Sequence, residues 1–326
     1  TTIIKLPDDV FPDAKVETII FEFRKGCKQE QVATLVYSKD EKINFIDKNN
    51  LKFQNKEFWK QSDSMNYNIY VSGMDISILK KCQQNTVSLE KFADFTLGIT
   101  PYDKYKGHSD ETINKRLFHS TIKIDESYKP LISGSNVIRY FVSPQIVEYI
   151  KYGDWLGAMR EERFFTDPRI IVRQIVSGHP PRIYAGFTDQ PYYFTQIGFG
   201  IISKSELDIK YLLAMINSSL LSYYHKYNFL DLEKELFQKI LIANCKQFPI
   251  KNISLNEQEP FIKATETMIV RNKELQELKT KITKLLSSKY TELNITNKLA
   301  DWTELDFKTF VKELDKQKIK LSLPEQ

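Results

Sequence analysis

Between residues 97 and 250, short runs of β-branched and aromatic residues alternate with glycines, and this pattern most restricts how the chain can fold. The runs with strand character are "NVIRYFV", "RIIVRQIV", "RIYAGF" and "GFGIIS". Residues 207–227 carry apolar side chains three and four apart, which predicts a helix, and a second helix is expected over 232–241. Strands closed by glycine turns and followed by helices predict a mixed α/β domain built on a mixed sheet.

The segment before this domain has weaker signals. Residues 16–24 and 31–37 alternate apolar and polar side chains on either side of Gly26, so we expect them to form a β-hairpin. Residues 46–68 show no clean hydrophobic period, so we expect them to form a connecting segment with a short helix near 56–59. A further helix is expected from Asp75, with that aspartate as its N-cap.

The segment after residue 256 has a heptad pattern. Two sets of residues recur every seven positions, three residues apart: Phe261, Met268, Leu275 and Ile282, then Ala264, Arg271, Leu278 and Leu285. This predicts a helix over 257–288 that either packs on its own domain or forms half of a coiled coil and mediates self-association. "DWTELDFKTFVKEL" predicts another amphipathic helix, capped by Asp301.

Composition excludes several classes. No run of about 18 apolar residues is present, so no membrane partner is expected. Three cysteines and four histidines lack metal-ligand spacing, which favours no metal site and reduced thiols in a cytosol. A net charge of +5 is too mild to indicate nucleic acid by itself. The first residues lack the pattern of a signal peptide, and we expect the sequence to be part of a longer chain.

The common catalytic motifs are missing from the sequence. "IGFGII" lacks the third glycine of a dinucleotide loop, "GITPYDKYKGH" lacks the Gly-Lys-Ser/Thr of a phosphate loop, and no Gly-x-Ser-x-Gly is present. Asp13, Asp40 and Lys42 fit a PD…DxK nuclease pattern only loosely, since "SKDEKI" is also typical of a turn. We therefore expect no catalytic residues, and a nuclease remains a third alternative.

Six segments occur in an order that resembles a known family. They are "LGITPYDKYKG", "PLISGSNVIRYFV", "YIKYGDWLG", "FFTDPRIIVRQI", "LLAMINSSLLSYYHKY" and "QFPI". Their order and spacing resemble the TaqI-like C-terminal specificity domain of type IIG restriction enzymes and adenine-specific DNA methyltransferases. The resemblance implies a bacterial, cytoplasmic parent enzyme that methylates adenine with S-adenosylmethionine and often cleaves DNA with Mg²⁺. The methyl-donor loop and the catalytic Asn/Asp-Pro-Pro-aromatic loop are absent here, so this chain is expected to hold no cofactor.

The resemblance also implies a division of the chain. Residues 1–45 resemble the terminal strands of a methyltransferase domain, and 46–91 connect them to a target recognition domain over 92–252. Residues 253–326 are then a helical C-terminal segment. The expected partners are double-stranded DNA and an upstream methyltransferase domain of the same chain.

The expected DNA contacts come mostly from loops, which a rigid scaffold presents to a ligand. Residues 100–109 mix aromatic and basic side chains, and residues 177–182 form a proline-stiffened turn between two strands. Candidate DNA-binding residues are Tyr102, Lys104, Lys106, His108, Arg139, Arg169, Arg173, His179 and Arg182. Arg169 and Arg173 are four apart in one strand and are expected to share a face. For Arg139, support of the sheet by pairing with Glu148 or Asp154 is the alternative.

The sequence thus predicts a module that recognises a specific site in double-stranded DNA for an N6-adenine methyltransferase or type IIG enzyme. The alternative is a protein-interaction module that assembles through the heptad helix with a methyltransferase or nuclease partner.

Overall fold

The computed structural model describes residues 1–8, 10–11, 16–26, 29–57, 68–178, 180–232 and 237–321. The chain divides into two compact units, one of Thr1–Lys91 with Ser219–Asn252 and one of Phe92–Ser218 with Ile253–Gln326. The expected recognition domain, 92–252, therefore contributes to both units, and the expected boundaries stay a prediction. Among the described residues, no helix is both long enough and apolar enough to cross a bilayer.

The first unit is built on a four-stranded sheet in the order β2-β1-β3-β4. Its strands are β1 (Thr2–Lys5), β2 (Ile19–Glu22), β3 (Gln31–Val36), β4 (Lys52–Asn55), β5 (Val87–Ser88) and β15 (Pro249–Ile250), of which the last two pair with each other. Its helices are α1 (Gly73–Gln83), α5 (Ser219–Phe229) and α6 (Ile242–Lys246). The adjacent residues Ile3 and Ile4 are both buried, because β1 is covered on both faces.

Several expectations for this unit are wrong. β2 and β3 do not form a hairpin: β1 lies between them, antiparallel to β2 and parallel to β3. α1 begins after Ser72, whose hydroxyl caps the helix by accepting a hydrogen bond from the Asp75 amide. Asp75 is the third residue of the helix, and its carboxylate accepts a hydrogen bond from the Ser72 amide. No helix covers 237–241; α6 begins at residue 242, after residues 233–236, which lie outside the described part of the chain. Part of the expected helix at 56–59 also lies outside it.

The second unit contains a four-stranded sheet, β13-β8-β10-β7, and a five-stranded sheet, β6-β14-β11-β12-β9. The strands are β6 (Ala93–Leu97), β7 (His119–Ser120), β8 (Tyr128–Ile132), β9 (Tyr140–Phe141), β10 (Glu148–Lys151), β11 (Arg169–Arg173), β12 (Ala185–Thr188), β13 (Tyr193–Phe194) and β14 (Gly198–Ser203). The helices are α2 (Asp110–Asn114), α3 (Arg163–Thr166), α4 (Ile209–Asn217), α7 (Leu255–Lys289), α8 (Asn297–Ala300) and α9 (Phe307–Asp315). The expected mixed α/β fold with mixed sheets is confirmed.

The runs predicted as strands in "RIIVRQIV", "RIYAGF" and "GFGIIS" form β11, β12 and β14, which are antiparallel neighbours. Gly198 permits the close pairing with β11, because a Cβ at this position would lie 2.0 Å from the carbonyl oxygen of Val172. Side chains from both sheets and from α3, among them Ile150, Ile171, Phe194 and Phe165, form one buried core.

Two other expectations for this part of the chain are wrong. "NVIRYFV" is not a continuous strand but a tight hairpin, in which Ile138 and Phe141 exchange backbone hydrogen bonds of 2.9 and 3.2 Å. Arg139 and Tyr140 form its two-residue turn, and Tyr140 adopts a φ of +71°. The helix predicted over 207–227 is broken at Ser218, whose backbone is extended, into α4 and α5.

The heptad segment forms α7, a single helix of 35 residues, as predicted. Ser254 and Glu257 cap its first turn reciprocally. After it, Leu299 and Leu314 of α8 and α9 are buried in a small core with Leu293. α9 is capped by Asp306, whereas the predicted cap, Asp301, precedes a short 3₁₀ helix at Trp302–Glu304.

Candidate functional site

One end of the five-stranded sheet collects most of the predicted contact residues. β6, β14, β11 and β12 are successively antiparallel, so the end of β6, the start of β14, the end of β11 and the start of β12 coincide. β9 runs parallel to β12, which brings the turn that precedes it to the same end. We call this the loop end; it comprises residues 98–109, 138–140 and 174–184.

The loop after β6 is anchored by the side chains of Tyr102 and His108. The Tyr102 hydroxyl accepts a hydrogen bond from the Phe118 amide at 3.0 Å and shares a second hydrogen bond, of 2.8 Å, with His119 Nδ1. Burial raises the pKa of Tyr102 and, together with the nearby Arg116, lowers the pKa of His119, so both groups are neutral at pH 7. The hydroxyl of Tyr102 is therefore committed within the domain.

His108 joins the two sides of this loop region. Its Nδ1 accepts from the Asp103 amide at 2.9 Å, and its Nε2 donates to the carbonyl oxygen of Trp155 at 2.8 Å. Because a backbone amide can only donate and a carbonyl can only accept, this arrangement fixes the Nε2-protonated, neutral tautomer. Both ring nitrogens have protein partners, so His108 positions the loop.

The lysines of this loop point into solvent. Lys104 pairs with Asp110 at 2.5 Å, but both side chains are about two-thirds exposed or more, so the pair contributes little to stability. Lys106 is exposed and has no ion-pair partner among the described residues. Between them lies Tyr105, which the sequence analysis did not select and which is fully exposed. The signal was present in the sequence: an aromatic residue between two lysines, just before a turn glycine.

Arg139 lies at the tip of the hairpin turn rather than in a strand. Its Nη2 donates to the carbonyl oxygen of Asn217, the last residue of α4, at 2.5 Å. This carbonyl belongs to the negative end of the helix and has no partner within it. The alternative expectation, a pair with Glu148 or Asp154, is wrong about the partner, which is the end of a helix. Contact between Arg139 and DNA stays a prediction.

Asn217, the last residue of α4, bonds both the hairpin, through its backbone carbonyl, and β12, through its side chain. Its side chain is fully buried, its Oδ1 accepts from the Ala185 amide at 3.2 Å, and its Nδ2 donates to the Ala185 carbonyl at 2.8 Å. Nothing in the sequence relates Asn217 to a position 32 residues away.

Arg173 and the turn that follows it form the third part of the loop end. The guanidinium lies 4.2 Å from the centre of the Tyr184 ring, and it donates to the Ser177 hydroxyl and, at 3.2 Å, to the Ile175 carbonyl. Burial lowers the pKa of Arg173. Ser177 and Arg182 exchange backbone hydrogen bonds that close the turn, and the Arg182 side chain is half-buried. His179 lies outside the described residues.

Arg169 is at the opposite end of β11, and the prediction that it contacts DNA is wrong. Its side chain is fully buried and donates to the carbonyl oxygens of Asp167 at 2.7 Å, Gln190 at 2.6 Å and Tyr192 at 2.9 Å. Burial lowers its pKa to about 10, which still leaves it charged at pH 7. Arg169 and Arg173 therefore do not form a shared exposed basic face, because the side chain of Arg169 is fully buried.

Of the three residues considered for bond chemistry, two lie in the described part of the chain. Asp40 and Lys42 are exposed in a turn where the Ser38 amide and the Glu41 carboxylate bond at 3.0 Å, and Asp13 lies outside the described residues. Within the described part of the chain, no group of three or more His, Cys, Asp and Glu side chains could hold a metal ion.

Comparison with family models identifies the central region of the chain. Residues 129–250 match the model of the TaqI-like C-terminal specificity domain. The chain contains a TaqI-like C-terminal specificity domain. This specificity domain includes Arg139, Arg173 and Arg182 of the loop end, while residues 98–109 precede the match. Residues 254–326, which include α7 to α9, match a second model, a domain of unknown function, DUF8810.

A protein of Methanocaldococcus jannaschii, named as a candidate type II restriction enzyme and methyltransferase, is 26% identical over 259 residues. The alignment covers 76% of this chain but only 20% of that protein, so the chain spans about a fifth of the relative's length.

Two solved structures also resemble the chain at low identity. The HsdS subunit from Thermoanaerobacter tengcongensis is 10% identical with a TM-score of 0.35, covering 74% of this chain and 50% of that one. The type IIG restriction endonuclease BpuSI is 12% identical with a TM-score of 0.38, covering 81% and 38%. Similarity at this level does not establish a shared fold.

Proposed function

We propose that this chain recognises a specific sequence in double-stranded DNA on behalf of a type IIG restriction-modification enzyme or N6-adenine DNA methyltransferase. The observation that supports this most is the specificity-domain match, combined with the convergence of basic and aromatic loops at one end of the sheet. Loops on a rigid sheet present side chains to a ligand at low entropic cost.

The contacts divide between positioning and reading the duplex. Lys104 and Lys106, exposed on the loop after β6, would meet backbone phosphates, and contacts of this kind set the register of a protein on DNA. Arg173 stabilises the 174–184 turn by its contact with the Tyr184 ring, and side chains of that turn would meet base edges in the major groove. Tyr102 and His108 position their loop, whereas Arg139 and Arg169 serve the fold.

The parent enzyme supplies the chemistry. Its methyltransferase domain, upstream in the same polypeptide, would bind S-adenosylmethionine and extrude the target adenine, and Mg²⁺ would be needed where it also cleaves. In this proposal residues 1–45 belong to that domain, 46–91 connect it, and 92–252 recognise the site. The DNA target places the enzyme in the cytoplasm.

The test is selection from a random duplex pool, followed by binding measurements. The chain is immobilised, 30-bp duplexes with randomised centres are selected at low salt, and the bound pool is sequenced. We expect one motif to be enriched. Gel shifts of that motif at increasing salt should then show a steep loss of affinity, since binding releases counterions from the phosphates.

A double variant, Lys104→Ala with Lys106→Ala, should weaken binding to all duplexes and reduce the salt slope by about 1 to 2. The matched control is Lys308→Ala with Lys312→Ala, two exposed lysines of α9, which should leave both quantities unchanged. Absence of an enriched motif, with weak binding insensitive to both double variants, would contradict the proposal.

A second candidate, assembly through α7, is supported by the faces of that helix. Its two fully buried residues are polar: the Gln258 side chain accepts from the Asp208 amide at 2.8 Å, and the Thr265 hydroxyl donates to the Lys210 carbonyl at 3.1 Å. Much of the heptad stripe faces solvent instead, with Phe261, Met268, Leu275, Leu278 and Leu285 each 40% exposed or more. An apolar heptad stripe of this length favours a partner helix, from a second copy or from a methyltransferase or nuclease subunit.

A further inference from the structure

Tyr105 is unusual among the aromatic residues of the second unit because its side chain contributes nothing to packing. It is 101% exposed, at the tip of the loop after β6. A tyrosine ring carries a large apolar area and usually adds stability by burying it. Here the full area remains to be buried by a ligand.

The backbone beneath this ring is fixed at several points. The Tyr105 amide donates to the Asp103 carboxylate at 2.9 Å, and the amide of Gly107, which adopts a φ of +87°, closes the turn on Lys104 at 3.0 Å. His108 ties the same loop to Trp155, as described above. Only the two side-chain torsions of Tyr105 remain to be ordered when a ligand binds, so contact with the ring has a low entropic cost.

The surroundings of the ring indicate the charge of that ligand. Lys104 and Lys106 flank it and are both exposed, and the carboxylate of Asp103 is turned inward to cap the amide of Tyr105. Lys104 pairs with the exposed Asp110, so a polyanion is attracted by Lys106 and competes with Asp110 for Lys104. Both contacts bring the polyanion against the ring. A nucleic acid offers both a polyanionic backbone and flat bases that stack on aromatic side chains.

We infer that Tyr105 is a stacking residue, which inserts at a base step and covers a base that has lost its pairing partner in duplex DNA. This inference rests on the proposed function and deepens it. Inserted side chains stabilise an opened step by replacing the lost stacking, and the contact tolerates any base because every base has a flat face. An enzyme that extrudes one base from the duplex leaves the base of the opposite strand without its pairing partner.

The experiment compares two 30-bp duplexes of identical mixed sequence. One is fully paired, and the other has a single central abasic site opposite 2-aminopurine. Affinities of the full chain are measured at low salt by fluorescence anisotropy, and 2-aminopurine emission reports stacking on the unpaired base. The wild type should bind the abasic duplex about 10-fold more tightly and quench the emission. Tyr105→Ala should lose both effects, and Tyr105→Phe should retain them.

Lys106→Ala is the control: it should weaken binding to both duplexes by the same factor and leave the preference intact. Retention of the preference and the quenching by Tyr105→Ala would overturn the inference while leaving the proposed function standing. Absence of salt-dependent binding to either duplex would overturn the proposed function, and the inference with it. Circular dichroism should show the same fold for both Tyr105 variants, since the side chain packs against nothing.

Discussion

The guanidinium of Arg139, at the tip of a two-residue turn, donates a 2.5 Å hydrogen bond to the carbonyl oxygen of Asn217, the last residue of α4. The same Asn217 holds Ala185 of β12 through both groups of its side-chain amide. A turn, a helix end and a strand are thus joined through one asparagine. Some of the polar side chains at this end of the sheet are therefore occupied in holding elements of the fold together.

Replacement of Arg139 should reduce stability without reducing DNA affinity. Arg139→Met keeps the aliphatic contacts but removes the charged donor, and we expect the free energy of unfolding to fall by about 1.5–3 kcal/mol. Urea unfolding followed by circular dichroism measures this. A variant with unchanged stability but weakened DNA binding would show instead that Arg139 contacts DNA.

Replacement of Arg169 should be more damaging. Arg169→Met leaves the carbonyl oxygens of Asp167, Gln190 and Tyr192 without their donor, and each unsatisfied buried group costs about 1–3 kcal/mol. We expect a loss of at least about 3 kcal/mol in urea unfolding. The matched control is Arg116→Met, which removes a partly exposed pair with Glu148 and should cost about 1 kcal/mol or less. Equal effects in both variants would refute the structural assignment of Arg169.

The stability of the first unit should depend on pH through His225. This side chain is buried beside Phe229 and Phe248, and burial lowers its pKa from 6.5 to about 4. The unfolded chain therefore binds more protons between these values, so the contribution is complete above pH 6.5 and is lost as pH falls toward 4. The loss amounts to about 3 kcal/mol.

Comparison with His225→Leu isolates this contribution from that of the carboxylates. Unfolding free energies of both proteins are measured in urea at pH 7 and at pH 4. The wild type should lose about 3 kcal/mol more than the variant over this interval. Parallel losses would mean that His225 is protonated at its ordinary pKa in the folded protein.

Self-association through α7 can be changed in both directions. Leu278→Glu places a charge on the exposed heptad stripe and should weaken association, whereas Arg271→Leu removes the one charged heptad position and should strengthen it. Sedimentation velocity over a range of concentrations measures the outcome. Lys273→Glu, at a heptad position away from the stripe, should have no effect. Concentration-independent monomers in all four proteins would exclude a second copy as the partner of this stripe.

The local elements were largely predictable from the sequence. β11, β12 and β14 are short apolar runs closed by turn residues, and α7 has a heptad pattern over most of its length. These predictions rest on periodicity, which a single segment carries by itself. The errors occur where local signals conflict with packing. "NVIRYFV" has strand composition, yet it folds back at Arg139 because the arginine bonds a helix end that is distant in sequence.

The candidate site was predictable only in part. The sequence identified the loops, since aromatic and basic residues beside glycines are visible without coordinates. It did not identify which side chains remain available. Tyr102 and His108 are committed to the domain, Arg169 is buried, and Tyr105, which was overlooked, is the fully exposed member of its loop.

By itself, then, the sequence determined the strand and helix segments, the heptad helix and the resemblance to a specificity domain, because all of these depend on the kinds and spacing of neighbouring residues. Only the tertiary structure decided that β1 separates β2 from β3, that three loop segments lie at one end of a sheet, and which arginine side chains bond the protein's own carbonyl groups. Strand order and the partners of a guanidinium depend on segments far apart in the chain. A buried polar group without a hydrogen-bond partner costs more free energy than a residue's local conformational preference supplies, so the chain adopts the conformation that pairs its buried polar groups.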